Sequence, residues 1–296
     1  MRNTLKNKPL SLLLIAMVYA FSFGAGGAAL YLFKGRFPPL AAMFIADSIA
    51  TVIVYIFNLF FKNASFYDPY WSVQPPLLLA GFYLGYGIPF QAVHLWAVIP
   101  LFLWAIRLTV NWAAGFENLA WEDWRYRGIK AQNPRYGKLI VFFGIMYMPT
   151  CLVFLGAIPL WYMVNGAELN PLPPCLGGIV ILTGTILEFI ADREMKRYKA
   201  DPRRGPYIYS GIWKYSRHPN YLGEMLIWIG IFIAGLQNFH PLSLPGVLLI
   251  IALFITASIP MMEKHLLART PLYRDYQRDV PMLLPLPRVL GLSNEK

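Results

Sequence analysis

The stretch Lys214-Tyr-Ser-Arg-His-Pro-Asn-Tyr-Leu-Gly-Glu224 places ligand-binding groups at the start of an apolar segment. Pro219 suits the first turn of a helix, where its missing N–H leaves nothing unpaired. From that start Asn220 and Glu224 lie one turn apart and share a face. Arg217 and His218, just outside, offer cationic donors to a phosphate or carboxylate beside a helix N-terminus. An ionisable Glu one turn inside a membrane-length helix needs a partner, a ligand or water. The same stretch also reads as a basic loop flank before a transmembrane start, and spacing alone leaves both readings open.

Other polar groups stand where they are costly. Glu188, Asp192, Lys196 and Lys199 recur at i, i+4, i+8 and i+11, a stripe descending from an apolar segment into the following loop. Arg107 and Asn111 are four apart within another apolar segment, a spacing that suits pairing inside a bundle. Asp68 sits in Phe66-Tyr-Asp-Pro-Tyr-Trp-Ser72, where dry aromatic surroundings would raise its pKa and make it a hydrogen-bond or proton donor. Tyr70 and Tyr83 are the alternative donors, and an interfacial aromatic belt is the bland reading of the same tyrosines. The run Glu117–Arg127 reads either as an amphipathic interfacial helix or as part of a site. Tyr207, Glu263 and His265 complete the set. Bases for phosphates, amides and acids for hydroxyls, and aromatics for a flat ring suit a nucleotide cofactor. No Walker loop or strand–Gly-loop–helix fingerprint is present, and the four histidines and two cysteines show no metal-ligand spacing.

The elements that must position these groups are transmembrane helices. Of 296 residues 57% are hydrophobic and only 14% charged, too few charges for a soluble domain of this size. Eight apolar segments are predicted, at 10–33, 38–61, 75–90, 92–114, 138–164, 173–191, 219–237 and 242–262, the third short and rich in Gly and Pro. This predicts an all-α polytopic bundle in one domain, with 10–135 on the substrate side and 138–296 as the cofactor-binding half. The N-terminal segment reads as a retained span rather than a signal peptide. With the N-terminus in the cytoplasm, 23 of the 26 Lys and Arg fall on the cytoplasmic side, so both termini and the cofactor site are expected there. The net charge of +11 then needs no nucleic acid. A lipid-like substrate and membrane lipids are the expected partners, in a bacterial inner membrane or, in a eukaryote, the endoplasmic reticulum.

Residues from about Gly184 to Pro285 resemble the membrane-embedded steroid 5-alpha-reductase family. The whole chain resembles an uncharacterised branch of that clan, through Asp68-Pro-Tyr-Trp-Ser72 and Glu122-Asp-Trp-Arg-Tyr126. The resemblance implies a helical bundle of seven family spans plus an N-terminal one. It also implies NADPH in a cytoplasmic cavity and hydride transfer to the double bond of an enone lipid. It aligns Glu188, Asp192 and Lys199 with the family's polar stripe, and Asn220 and Glu224 with an Asn-Phe-Leu-Gly-Glu motif. His265 aligns with a cofactor-contacting His. The family's carbonyl-holding Tyr corresponds to Trp104, and its Glu falls near Asp68. Isoprenylcysteine carboxyl and phospholipid N-methyltransferases carry a motif similar to Arg217-His-Pro-Asn-Tyr-Leu-Gly223. In that alternative Glu263 would help to hold S-adenosylmethionine.

Overall fold

The computed structural model describes residues 6–166 and 170–284, and every described element is helical. The two termini, whose side of the membrane the charge count predicts, and Pro285 lie outside the described residues. Among the described residues seven stretches are long and apolar enough to cross a membrane: Lys8–Phe33, Pro39–Phe61, Ala92–Gly115, Gly137–Val164, Leu172–Ala200, Pro219–Asn238 and Pro241–Arg269. Their outward faces carry Phe21, Tyr31, Phe60, Ile106 and Val110, all exposed, as expected of side chains that face lipid.

In chain order the helices are α1 (Lys8–Phe33), α2 (Pro39–Phe61), α3 (Tyr70–Tyr86), α4 (Leu95–Gly115), α5 (Trp124–Gln132) and α6 (Gly137–Ile140). They continue with α7 (Met148–Val164), α8 (Leu172–Ala200), α9 (Pro219–Ala234), α10 (Leu244–Leu253), α11 (Ile259–Arg269) and α12 (Tyr273–Asp279). Helix α3 corrects the expected 75–90. It begins five residues earlier, places Pro75 and Pro76 in its interior, and stops at Gly87, whose φ of 62° only glycine adopts readily. At 17 residues it is shorter than the seven spanning stretches. Helix α8 runs past the expected end at 191 to Ala200, so Glu188, Asp192, Lys196 and Lys199 ride on one rod.

Contacts at the ends of α1 define two faces. Lys8 Nζ donates to the Ala114 carbonyl at the end of α4 at 2.9 Å, and Lys34 Nζ donates to the Gly85 carbonyl near the end of α3 at 3.1 Å. The chemistry-bearing residues gather at the first face. Helices α8 and α9 meet there through glycines one heptad apart: a Cβ on Gly184 would stand 2.5 Å from the Gly223 carbonyl, and one on Gly177 2.5 Å from that of Gly230. Such close backbone approach needs small residues. It brings Glu188 next to the α9 turn that carries Glu224.

Candidate functional site

Three carboxyls converge where α4, α8 and α9 meet. Arg107 Nη1 donates to Glu188 Oε2 at 2.7 Å, Arg107 Nη2 pairs with Asp192, and Asn111 Nδ2 donates to Asp192 Oδ2 at 2.9 Å. Glu188 is buried, so pairing inside the bundle, rather than snorkelling, is the role of Arg107. Glu224 is 4% exposed and sits under three indoles: Trp71 Nε1 donates to Oε1 at 2.6 Å, Trp228 Nε1 to Oε1 at 3.1 Å and Trp104 Nε1 to Oε2 at 3.1 Å. Indole N–H groups only donate, so this cage is built for an acceptor. Trp104, at the position the resemblance gives to a phenol, thus positions a carboxylate. Arg107, one guanidinium among three carboxyls, leaves the cluster rich in acid.

Below this cluster opens a chamber of about 550 Å³ lined by Asp68, Tyr126, Asn111, Glu188, Asp192 and Glu224 together with aromatic side chains. Its far wall is the loop and helix that the sequence left open between interfacial and functional readings. Asn63 Nδ2 donates to the Leu119 and Trp121 carbonyls at 2.9 and 2.7 Å, and Glu122 Oε1 accepts from the Ala64 N–H at 2.6 Å. Asp123 caps α5 by accepting from the Arg125 N–H at 2.8 Å, and Arg125 returns a two-pronged pair to its carboxylate at 2.9 and 3.0 Å. Burial opposes the charge on Asp123, but Arg125 holds its carboxyl below the ordinary value. This frame presents Tyr126, whose hydroxyl donates to Asp68 Oδ1 at 2.5 Å. Burial pushes Asp68 up to about 6, against the Tyr126 hydrogen bond and Arg125, which lower it. Burial and the Asp68 carboxyl push the Tyr126 phenol well above its ordinary value, so it remains a donor. Both π-helical turns, Val141–Tyr147 and Phe254–Ser258, reach the chamber through Ile145 and Phe254. Such turns recur at functional sites.

A second chamber of about 320 Å³ lies alongside, lined by Lys199, Arg217 and His218 with Tyr198, Tyr207, Tyr273 and Tyr276. The two chambers share Asp192, Asn220 and Tyr221 in their walls. Tyr207 stacks on Tyr276 with ring centroids 5.1 Å apart, and His218 stacks on Tyr221 at 5.5 Å. Arg217 ties α9 to the C-terminal segment: Nε donates to Glu263 Oε1 at 2.8 Å, and Nη1 donates to the Gln277 and Val280 carbonyls at 2.7 and 2.5 Å. Its Nη2 has no hydrogen-bond partner among the described residues.

Of the residues singled out in the sequence, Asp68, Asn111, Glu188, Asp192, Lys199, Tyr207, Arg217, His218, Asn220 and Glu224 line the chambers, and Arg107 bridges two of them, Glu188 and Asp192. Five do not. Tyr70 is fully buried behind the wall and donates to Asp47 Oδ1 at 2.7 Å. Tyr83 lies near the opposite end of α3 from Asp68, with its hydroxyl 2.7 Å from His94 Nδ1, so neither tyrosine is a donor to this chamber. Lys196 is exposed and lines neither space. Both Glu263 oxygens are occupied, Oε1 by Arg217 and by His218 Nε2 at 2.9 Å, and Oε2 by Gln277 Nε2 at 2.7 Å. His265 stacks on Trp124 at 3.8 Å, outside both walls. The sequence reading missed the indole cage and the wall tyrosines Tyr126 and Tyr221. An excess of tryptophan at the depth of a lone Glu was the available signal.

The family model described as "Protein of unknown function (DUF1295)" matches residues 54–280. The chain is also similar to uncharacterized protein C594.04c of Schizosaccharomyces pombe, 28% identical over 264 residues that cover 76% of this chain and 73% of the other. No solved structure matches.

Proposed function

The chain belongs to the DUF1295 family, and from the geometry of its site we propose that it is an integral-membrane reductase using NADPH to saturate a carbon–carbon double bond of an enone or other unsaturated, steroid-like lipid. The observation that carries this reading is the pair of chambers meeting at Asp192, Asn220 and Tyr221, one basic and aromatic, the other holding an acid–phenol pair. The residues present suit the cofactor. Lys199 and Arg217 Nη2 would take phosphates, and Tyr207, Tyr273 and Tyr276 a flat ring. Asn220, whose side chain has no hydrogen-bond partner among the described residues, would take an amide at the junction. When bound, NADPH supplies the hydride. Asp68, oriented by Tyr126, would polarise the substrate carbonyl from the facing wall, and the aromatic lining excludes water from it.

The carboxyls at the junction favour a cationic centre, which an oxidised nicotinamide and a sulfonium share. A methyltransferase using S-adenosylmethionine is therefore the second reading. The occupation of both Glu263 oxygens by Arg217, His218 and Gln277 supports the reductase over it.

The donor role fixes the pH dependence. A carboxyl with a pKa of about 6 is half protonated there, and its acid form falls about tenfold per unit above it. Lipid-dependent NADPH oxidation should fall along an alkaline limb that starts near that value. Tyr126→Phe removes a hydrogen bond that lowers the Asp68 pKa, so the limb should move to higher pH. A limb unmoved in Tyr126→Phe would separate it from Asp68.

For topology, α3 is proposed as an eighth crossing, since its start lies with the chambers and its end with Lys34 on the opposite face. With eight crossings, the charge asymmetry supports a cytoplasmic location for both termini and the chambers. Reporter fusions before Met1 and after Lys296 should both report the cytoplasm. An extracytoplasmic signal from either would remove α3 from the crossings.

A further inference from the structure

Asp47, in the interior of α2, has no part in the chemistry described so far. It is 5% exposed, and among the described residues no cation pairs with it. Its partners are Tyr70, at 2.7 Å from Oδ1, and Gln74, whose Nε2 donates to Oδ2 at 2.5 Å. A carboxyl inside a membrane bundle with neutral partners alone is suited to exchange a proton.

From Asp47 a continuous file of hydroxyls leads to the large chamber. Thr51 Oγ1 donates to the Tyr70 hydroxyl at 3.1 Å, Thr51 and Thr150 hydroxyls lie 2.9 Å apart, and Thr150 Oγ1 is 2.6 Å from the Tyr67 hydroxyl. Tyr67 lines the chamber beside Asp68. Thr51, Thr150 and Tyr70 are wholly buried, so their hydroxyls face one another and not bulk water. At its far end the file meets a separate cavity of about 110 Å³, lined by Asp47, Gln74 and residues of α1, α2 and α3. Gln74 Oε1 is buried there without a partner, and the cavity has room for a bridging water.

We propose that Tyr67, Thr150, Thr51, Tyr70 and Asp47 form a proton conduit between the substrate chamber and an intramembrane carboxyl. A hydroxyl offers one donor and two acceptors, so each member can accept one proton while releasing its own. A proton taken up by Tyr67 sends the Tyr67 proton to Thr150, that of Thr150 to Thr51, that of Thr51 to Tyr70, and that of Tyr70 to the Asp47 carboxylate. One O–H bond breaks and one forms at each hydroxyl, and only the proton's charge is displaced. Afterwards every hydroxyl points towards the chamber, so the return passage leaves Asp47 ionised and delivers a proton at Tyr67. For the inward passage Thr150 must first release its competing bond to the Met146 carbonyl at 3.0 Å and turn its proton to Thr51. On the reductase reading, which this use of the conduit rests on, hydride at one carbon of a double bond must be matched by a proton at the other. Asp68 polarises oxygen, and the conduit supplies the carbon-bound proton.

The test uses the full chain in detergent, with no cofactor or lipid. After a rapid pH jump, time-resolved infrared spectroscopy follows the carboxyl band that disappears in Asp47→Asn. Thr51→Val and Thr150→Val keep shape but interrupt the file. Each should slow protonation of Asp47 by about tenfold or more, and Thr51→Ser should restore the rate. If the valine variants fail to fold, Tyr67→Phe interrupts the file at its chamber end and should slow the same band. Unchanged rates would show that protons reach Asp47 through the α1–α3 cavity instead. An Asp47 band constant at every pH would equally overturn the proposal. Neither result bears on whether NADPH binds, so the reductase reading stands or falls separately.

Discussion

Asp68→Asn is expected to slow lipid reduction by about two to four orders of magnitude, the usual loss when general-acid assistance is removed. Asparagine keeps a donor of similar size but cannot present the acidic O–H of a protonated carboxyl. The Tyr126 hydroxyl can still donate to the amide oxygen, so the wall should hold its shape. Asp68 lies in the large chamber, while the groups suited to phosphates line the small one. NADPH affinity should therefore stay nearly constant while kcat collapses. Single-turnover measurement of NADPH oxidation with an enone lipid separates the two quantities. Wild-type turnover in Asp68→Asn would remove this residue from the mechanism and leave Tyr126 as the remaining donor in that wall.

Arg107→Met should be the most destabilising single change at the site. The guanidinium is 14% exposed and holds Glu188, at 7%, and Asp192, at 26%, together across α4 and α8. Methionine replaces the stem but leaves two carboxyls facing each other without a counter-charge. Removing one member of a buried ion pair costs about 3–5 kcal/mol. Unfolding in detergent should show that loss. Adding Glu188→Gln and Asp192→Asn to the same chain should recover much of it, because the uncompensated charges are then gone. If the triple variant is no more stable than Arg107→Met, the role of Arg107 is packing rather than charge.

How much of this was legible in the sequence varies with the range of the interaction. The stripe on α8 was readable because helical periodicity alone puts Glu188 and Asp192 on one face. The position of Glu224 one turn inside α9 followed from Pro219 as the first helical residue. The α3 boundary was misread because Pro75 and Pro76 look like a helix start, whereas the loop at Pro69 already turns the chain into the helix. Tyr70 and Tyr83 seemed equivalent as phenols near Asp68, yet they sit about three and a half turns apart on α3 and serve different partners. The cage around Glu224 joins Trp71, Trp104 and Trp228 from three helices. No local pattern encodes that contact, and only the glycine-mediated approach of α8 and α9 brings the surrounding walls together. The roles of His265 and Glu263 rest on resemblance, and their contacts with Trp124 and Arg217 come from elements distant in sequence that no local pattern links.

The most direct measurement is mass spectrometry of small molecules released from the full chain purified in mild detergent, followed by titration of NADPH and S-adenosylmethionine into the emptied protein. Recovery of a nicotinamide dinucleotide phosphate is expected, with saturable NADPH binding that weakens in Lys199→Ala and in Asn220→Ala. Recovery of S-adenosylmethionine or its demethylated product, with no saturable NADPH binding, would contradict the reductase and assign the same two chambers to methyl transfer.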